Sequence, residues 1–222
     1  AVISGGYQND YFRNIKGMKL GTMWGYVSDG VWKTSELADA PQGTEAGSYR
    51  YKNLDGSEDK QITVEDQTII GNGQPSFQWG WNNTFTYKNW ELSFLLRGAI
   101  GNDVLNVHRM YYEGFNYFGG KNILVSTLEH PEYKGSAVFS DRFVEDGSYM
   151  KLDNLTIGYN FRLNTSWVSR LKLYLTAQNL FTITGYKGID PEVDLSGLEP
   201  GMDRYEYYPR TRTFLLGLNI NF

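Results

Sequence analysis

The stretch "RTFLLGLNINF", residues 212–222, alternates without a break. Phe214, Leu216, Leu218, Ile220 and Phe222 share one parity, and Thr213, Leu215, Gly217, Asn219 and Asn221 share the other. Successive side chains of a β-strand point to opposite faces, so this strand has one apolar face and one small or polar face. Two settings accept it. A soluble sheet rests the apolar face on a core, whereas a membrane barrel rests it on lipid and turns the polar face to a water-filled lumen.

The same period recurs upstream. "LKLYLTAQNL" separates Leu171, Leu173, Leu175 and Ala177 from Lys172, Tyr174, Thr176 and Gln178. "SYMKLDNLTIGYNF" aligns Leu155, Ile157, Tyr159 and Phe161, but Met150 and Leu152 have the opposite parity, which predicts a bulge near Asp153. "WELSFLLRGAIG" sets Trp90, Leu92, Phe94 and Leu96 against Glu91, Ser93, Leu95 and Arg97. "SFQWGWNNTFTY" sets Phe77, Trp79, Trp81, Phe85 and Tyr87 against Gln78, Gly80, Asn82, Thr84 and Thr86. A shorter strand is expected over "KLGTMWGY" (Lys19 to Tyr26), and the first eight residues read as the tail of another.

Composition narrows the classes. With 21 Lys and Arg against 25 Asp and Glu, the net charge is −4 and no basic stripe marks a nucleic-acid footprint. The absence of cysteine excludes a disulfide scaffold and a thiolate site. His108 and His130 lie outside any ligand motif, so surface or loop roles are expected for both. No run approaches the roughly 18 apolar residues of a membrane helix. "AVISGGYQND" lacks the basic n-region of a signal peptide. The 17 Tyr, 12 Phe, 6 Trp and 25 Gly in an alternating pattern mean β structure rather than a helical bundle.

Three features favour lipid over a soluble core. Arg97 and Lys172 both fall on the polar parity, as expected where a cation on the lipid face costs about 2–4 kcal/mol at the midplane. Aromatics cluster near strand ends (Trp79, Trp81, Tyr87, Trp90, Tyr149, Trp167, Phe222), which suits interfacial girdles. Connections alternate in length. Only Lys88 and Asn89 separate Tyr87 from Trp90, and nine residues join Phe161 to Leu171. Long segments instead cover about 27–75, 103–148 and 181–210. Outer-membrane barrels alternate short periplasmic turns with long extracellular loops in this way.

Several stretches together resemble the C-terminal portion of SusC/RagA-like TonB-dependent outer-membrane transporters. They are "GTMWGYVSDGVW", "ITVEDQTIIGNGQPSFQWGWNNTFTYKNWELSFLLRGAIGNDVLN", "FVEDGSYMKLDNLTIGYNF", "LYLTAQNLFTITGYKGIDPEV" and "YPRTRTFLLGLNINF", in that order over nearly the whole chain. The resemblance implies an all-β, antiparallel transmembrane β-barrel of about 22 strands around a plug, residues 1–222 supplying its last six or seven strands and long loops but no plug. Its remaining strands and plug come from an N-terminal part outside this sequence. It further implies residence in the outer membrane of a Gram-negative, Bacteroidetes-like cell. The implied function is active import of oligosaccharides or peptides, energised through TonB, with a SusD-like surface lipoprotein as lid and no enzymatic activity. On the same basis Phe222 is expected at the periplasmic side as an assembly signal. Glu91 and Arg97 are lumen-facing candidates for the cargo path.

One constellation carries metal chemistry. In "DGSEDKQITVED", residues 55–66, the EF-hand ligand positions fall on Asp55, Ser57, Asp59, the carbonyl of Gln61, Thr63 and Asp66, a spacing that gathers oxygens around a structural Ca2+. Lys60 stands where such loops place glycine, and Asp66 where they place a longer Glu. The competing reading is a solvated acidic loop whose side chains cap turns. "NDVLNVHRMYYEG" reads as a short helix capped by Asn102 or Asp103 and ended by Gly114. Tyr111, Tyr112, Phe115, Tyr117 and Phe118 follow as aromatics able to stack on sugars or a partner. "DPEVD" and "EPGMDRYE" read as solvated loop charge, and "GNGQPSFQWG" lacks the Lys of a phosphate loop. A passive porin or adhesin barrel, or a secreted glycan-binding β-sandwich, remain the alternatives.

Overall fold

The computed structural model describes residues 11–57, 61–114, 119–120, 122–135, 137–163, 165, 167–204 and 208–222, together with the backbone of 3–4. In chain order the elements are β1 Ile3–Ser4, β2 Arg13–Asn14, β3 Thr22–Gly25, β4 Ser28–Val31, β5 Tyr49–Tyr51, β6 Thr68–Asn72, β7 Phe77–Tyr87, β8 Trp90–Ile100, β9 Asp103–Asn106, α1 Val107–Tyr112, α2 Ser126–Glu129, β10 Val144–Asp146, β11 Tyr149–Phe161, β12 Arg170–Thr184, β13 Met202–Asp203 and β14 Thr213–Asn221. Two compact units result, one of residues 1–74, 102–147 and 186–207, the other of residues 75–101, 148–185 and 208–222. Among the described residues no helix is long and apolar enough to cross a membrane, which says nothing of strands.

The second unit is a five-stranded antiparallel sheet in the order β14-β12-β11-β8-β7. It is open, with β7 and β14 as outer strands, so closure into a barrel is not seen. The strands form because alternating aromatic and β-branched residues suit a pleated surface. Lys88, at φ 54°, makes the tight reversal that pairs Tyr87 with Trp90. From there the register runs unbroken to Phe77 opposite Ile100. On β11 the register shifts between Leu152 and Asn154 against both neighbours, which is the irregularity expected at Asp153. It brings Leu152 opposite Leu96 and Phe181, so the apolar face survives the change of parity.

Register pairs order both faces into rows. Phe85, Leu92, Ile157, Leu175 and Leu216 are successive partners across all five strands. Every member of that row is exposed, from 37% at Leu92 to 72% at Leu216. On the other face Thr84, Ser93, Thr156 and Thr176 form a hydroxyl row. Thr156 and Thr176 share a hydrogen bond of 2.8 Å between their hydroxyls. Gly217 leaves room for the ring of Tyr174, which a Cβ there would strike.

The first unit departs from the expectation of long loops alone. Phe12, Met23, Tyr49, Leu105, Val107, Met110, Phe139, Phe143 and Met202 form a hydrophobic core. Burial of that apolar surface lets short strands persist that would be marginal alone. The strand expected over Lys19 to Tyr26 shortens to β3 and pairs with β6, not with the five-stranded sheet. Met23 is fully buried in the core, and Thr22 and Gly25 are buried beside it. Both parities are therefore used for packing, unlike a strand with one lipid face. β1 likewise pairs with β2. Among the described residues the expected six or seven sheet strands are thus five.

A second correction concerns residues 102–114. Val104 and Leu105 are buried in β9, which pairs antiparallel with β10 and parallel with β13. The helix therefore starts later. Asn106 is its cap, its side-chain oxygen accepting from the Arg109 amide at 2.9 Å. It ends at Tyr112, before Gly114.

Candidate functional site

Two ion pairs stand on the polar face of the sheet. Lys172 Nζ donates to Glu91 Oε1 at 2.7 Å, passing over Gly158 on the intervening strand. Arg97 presents a fork to Asp153, with Nε and Nη2 each 3.2 Å from a carboxylate oxygen. Arg97 Nη1 also donates to Tyr149 Oη at 3.4 Å. Tyr149 therefore belongs to the polar face, not to an apolar girdle. Both lumen-facing candidates, Glu91 and Arg97, thus lie on the polar side, each neutralised by a partner. Beside them runs a row of successive partners that the sequence alone did not single out: Asn82, Leu95, Asn154, Gln178 and Thr213.

In the first unit the acidic segment folds around one carboxylate. Asp66 Oδ1 accepts from the backbone amides of Leu54 (2.7 Å) and Asp55 (3.1 Å), and Oδ2 accepts from that of Thr63 (2.7 Å). Those bonds, led by the one from Thr63, hold its pKa below the ordinary carboxylate value. Asp55 Oδ1 accepts from the Ser57 amide at 2.7 Å, and Thr63 caps the turn Val64–Asp66 by accepting from the Glu65 amide. Asn53 Nδ2 donates to Ser57 Oγ. Asp59 and Lys60 lie outside the described residues, as do Phe115, Tyr117 and Phe118 from the aromatic cluster. Among the described residues no three His, Cys, Asp or Glu side chains converge as metal ligands. What these residues form is a hydrogen-bonded turn with Asp66 as its hub; Gln61 lines a broad open groove of about 1360 Å³ nearby, together with Trp32 and Arg50.

A buried ionic network, not foreseen as a unit, organises the same half of the chain. Glu113, 3% exposed, accepts from Arg109 and, at 2.8 Å, from Arg142. Arg109 Nη1 lies 2.5 Å from Glu145. Arg142 also sits 3.7 Å over the Tyr133 ring, a cation–π contact. Arg109 and Glu113 have helical i, i+4 spacing, the one clue visible in sequence. Nearby, Tyr186 donates to Asp203. Burial raises the pKa of both groups, and the Asp203 charge raises that of Tyr186 further. Burial likewise pushes Tyr49 up to about 12. These groups serve packing and rigidity.

No protein-family model matches the chain. It is 30% identical to TonB-dependent receptor P3 of Formosa agariphila over 93% of its length, and 32% identical to TonB-dependent receptor SusC of Bacteroides thetaiotaomicron over 64%. It spans only 22% and 15% of those relatives. The solved RagAB peptide transporter superposes with a TM-score of 0.74 at 19% identity, covering 96% of this chain and 24% of that one. The 'open-open' RagAB peptide importer gives 0.71. Receptors of this kind are outer-membrane transporters of Bacteroidetes, not enzymes. The chain is homologous to the SusC/RagA-type TonB-dependent receptors over most of its length, corresponding to about a quarter of the full receptor.

Proposed function

We propose that these residues form part of the wall and the surface loops of an outer-membrane importer for oligosaccharides or peptides, energised through TonB and lidded by a SusD-like lipoprotein. One observation carries the reading: a single sheet keeps an exposed all-apolar row on one face and paired charges and hydroxyls on the other. Lipid is the occupant that matches the first face, and a water-filled lumen the second. A soluble sandwich would bury that apolar row against another sheet. Open edges are not tolerated in hydrocarbon, so β7 and β14 pair with strands from the rest of the receptor. The long connections leave the sheet at the end marked by Phe77, Ile100, Tyr149, Thr184 and Thr213, which becomes the extracellular end. The RagAB structures, being those of a peptide importer, support peptides as one cargo class and a second component as partner.

Cysteine scanning of the full-length receptor in outer membranes tests the wall. Thr84→Cys reacts with a water-soluble maleimide and Leu175→Cys does not. Equal labelling of both rejects a lipid-facing sheet. A structural calcium ion in the 55–66 turn belongs to the same reading and needs Asp59 to complete its ligands. Calorimetric titration of the receptor with calcium that yields no heat removes it.

A further inference from the structure

We infer that the short-turn end of the sheet binds an anionic phospholipid, its phosphate taken by Lys88 and Arg162 and its acyl chains lying on the apolar face, an inference that rests on reading that face as lipid-facing. The apolar face ends there in an aromatic row. Tyr87, Trp90 and Tyr159 are successive register partners, the next row of that face after Phe85, Leu92 and Ile157. Trp90 and Tyr159 meet edge to face with centroids 4.9 Å apart, and Tyr159 meets Phe161 in the same way at 4.7 Å. Tyr87 and Trp90 are more than half exposed. Tyr159 turns its hydroxyl to the turn, where it accepts from Asn89 Nδ2 at 3.4 Å. Rings with an apolar body and a polar tip belong at the level of lipid headgroups.

Cations stand at the edge of this row. The two short turns are tied together, the Asn160 amide donating to the Asn89 carbonyl at 2.8 Å. Lys88, next to Asn89, and Arg162, two residues past Asn160, thereby come to one edge of the sheet. Lys88 Nζ lies 5.3 Å from the centroid of the Tyr87 ring, within cation–π reach. Residues 88–89 and 162–170 contain Lys88, Arg162 and Arg170 and no acidic residue. All three cations are exposed, and among the described residues none has a carboxylate partner. Arg97 and Lys172, further into the sheet, each have one. Uncompensated cations at the level where the apolar face stops are complementary to a phosphodiester, which accepts from both an arginine fork and a lysine ammonium. A zwitterionic headgroup brings its own cation and cancels much of that attraction, so the ligand is an anionic lipid.

The test uses the full-length receptor reconstituted in phosphatidylcholine bilayers, with bimane on Leu163→Cys as a local reporter. Brominated phosphatidylglycerol and brominated phosphatidylcholine are the two quenchers. Phosphatidylglycerol associates with the reporter site more strongly, by a ratio on the order of tenfold. Lys88→Gln and Arg162→Gln each lower that ratio about threefold, a little under the ~fivefold of one cation at an anionic surface. The double variant brings the ratio near one, while heat-modifiable migration stays that of the parent. A preference that survives the double variant, or displacement of the lipid by millimolar inorganic phosphate, overturns the inference. Two further outcomes separate it from the reading of the wall. Equal quenching by both lipids rejects the headgroup site only, and quenching by neither rejects the lipid-facing sheet itself.

Discussion

Lys172 reaches across a whole strand to Glu91, and it can do so because Gly158 lies between them. A Cβ on Gly158 would come within 2.8 Å of Lys172 Cε. Gly158→Ala and Glu91→Gln are therefore expected to remove the same interaction. Each costs about 1 kcal/mol or less, since both charges keep some solvent. The double variant costs no more than the larger single one. Urea-induced loss of the folded band of the full receptor measures all three, and simple additivity contradicts the contact.

Leu175 occupies the exposed apolar row and Thr84 the polar one. Leu175→Arg is expected to cost about 2–4 kcal/mol in a bilayer and to lower the amount of assembled receptor. Thr84→Arg is expected to leave assembly unchanged. Equal yields of both variants in outer-membrane fractions contradict the assignment of faces.

Asp66 satisfies three backbone amides with one carboxylate, and Asp66→Ala strands all three. The expected cost to the 54–66 turn is about 3 kcal/mol or more, read as faster hydrogen exchange at Leu54, Asp55 and Thr63. The sign with pH follows from a depressed carboxyl pKa. The stabilisation is complete above the ordinary value of 3.8 and is lost as pH falls through the lower folded value. Protection that already fades near neutral pH contradicts this role.

Glu113 serves two arginines in a site almost closed to water. Glu113→Gln leaves Arg142 without its carboxylate and weakens the hold on Arg109. An expected loss of about 3–5 kcal/mol within the first unit follows. Limited proteolysis of the receptor, with new cuts in residues 102–147, checks it. Resistance equal to the parent's contradicts a structural network.

Asp203 is the opposite case to Asp66. Burial raises its pKa, so ionisation costs the folded state stability as pH rises from about 3.8 through the raised value. Asp203→Asn keeps an acceptor for the Tyr186 hydroxyl and removes that cost. The variant is expected to be at least as stable as the parent at pH 7, within about 1 kcal/mol, and to show a flatter pH profile. Marked destabilisation at pH 7 means the charge itself is needed.

How far the chain could be read from its residues differs between the two units. The five long strands were legible because a period of two is local, and so was the irregularity at Asp153, betrayed by the parity of Met150 and Leu152. The Lys88–Asn89 reversal even fixes which residues of β7 and β8 face each other. β3 was misplaced as a sheet strand because its alternation resembles the others, while its burial on both sides depends on Phe12, Phe139 and Met202. The late start of α1 had the same origin, since partners for Val104 and Leu105 come from residues around 144 and 202.

The order of polar and apolar residues along each strand thus determined the two faces of the sheet and the alternation of short and long connections. Only the tertiary structure decided which side chains meet across strands. It alone made the Glu91–Lys172 bridge over Gly158, the Asn154–Gln178 row, and the arginines gathered on Glu113. Facing direction is a property of the backbone at each residue, whereas those meetings require registers and packing between segments far apart in the chain.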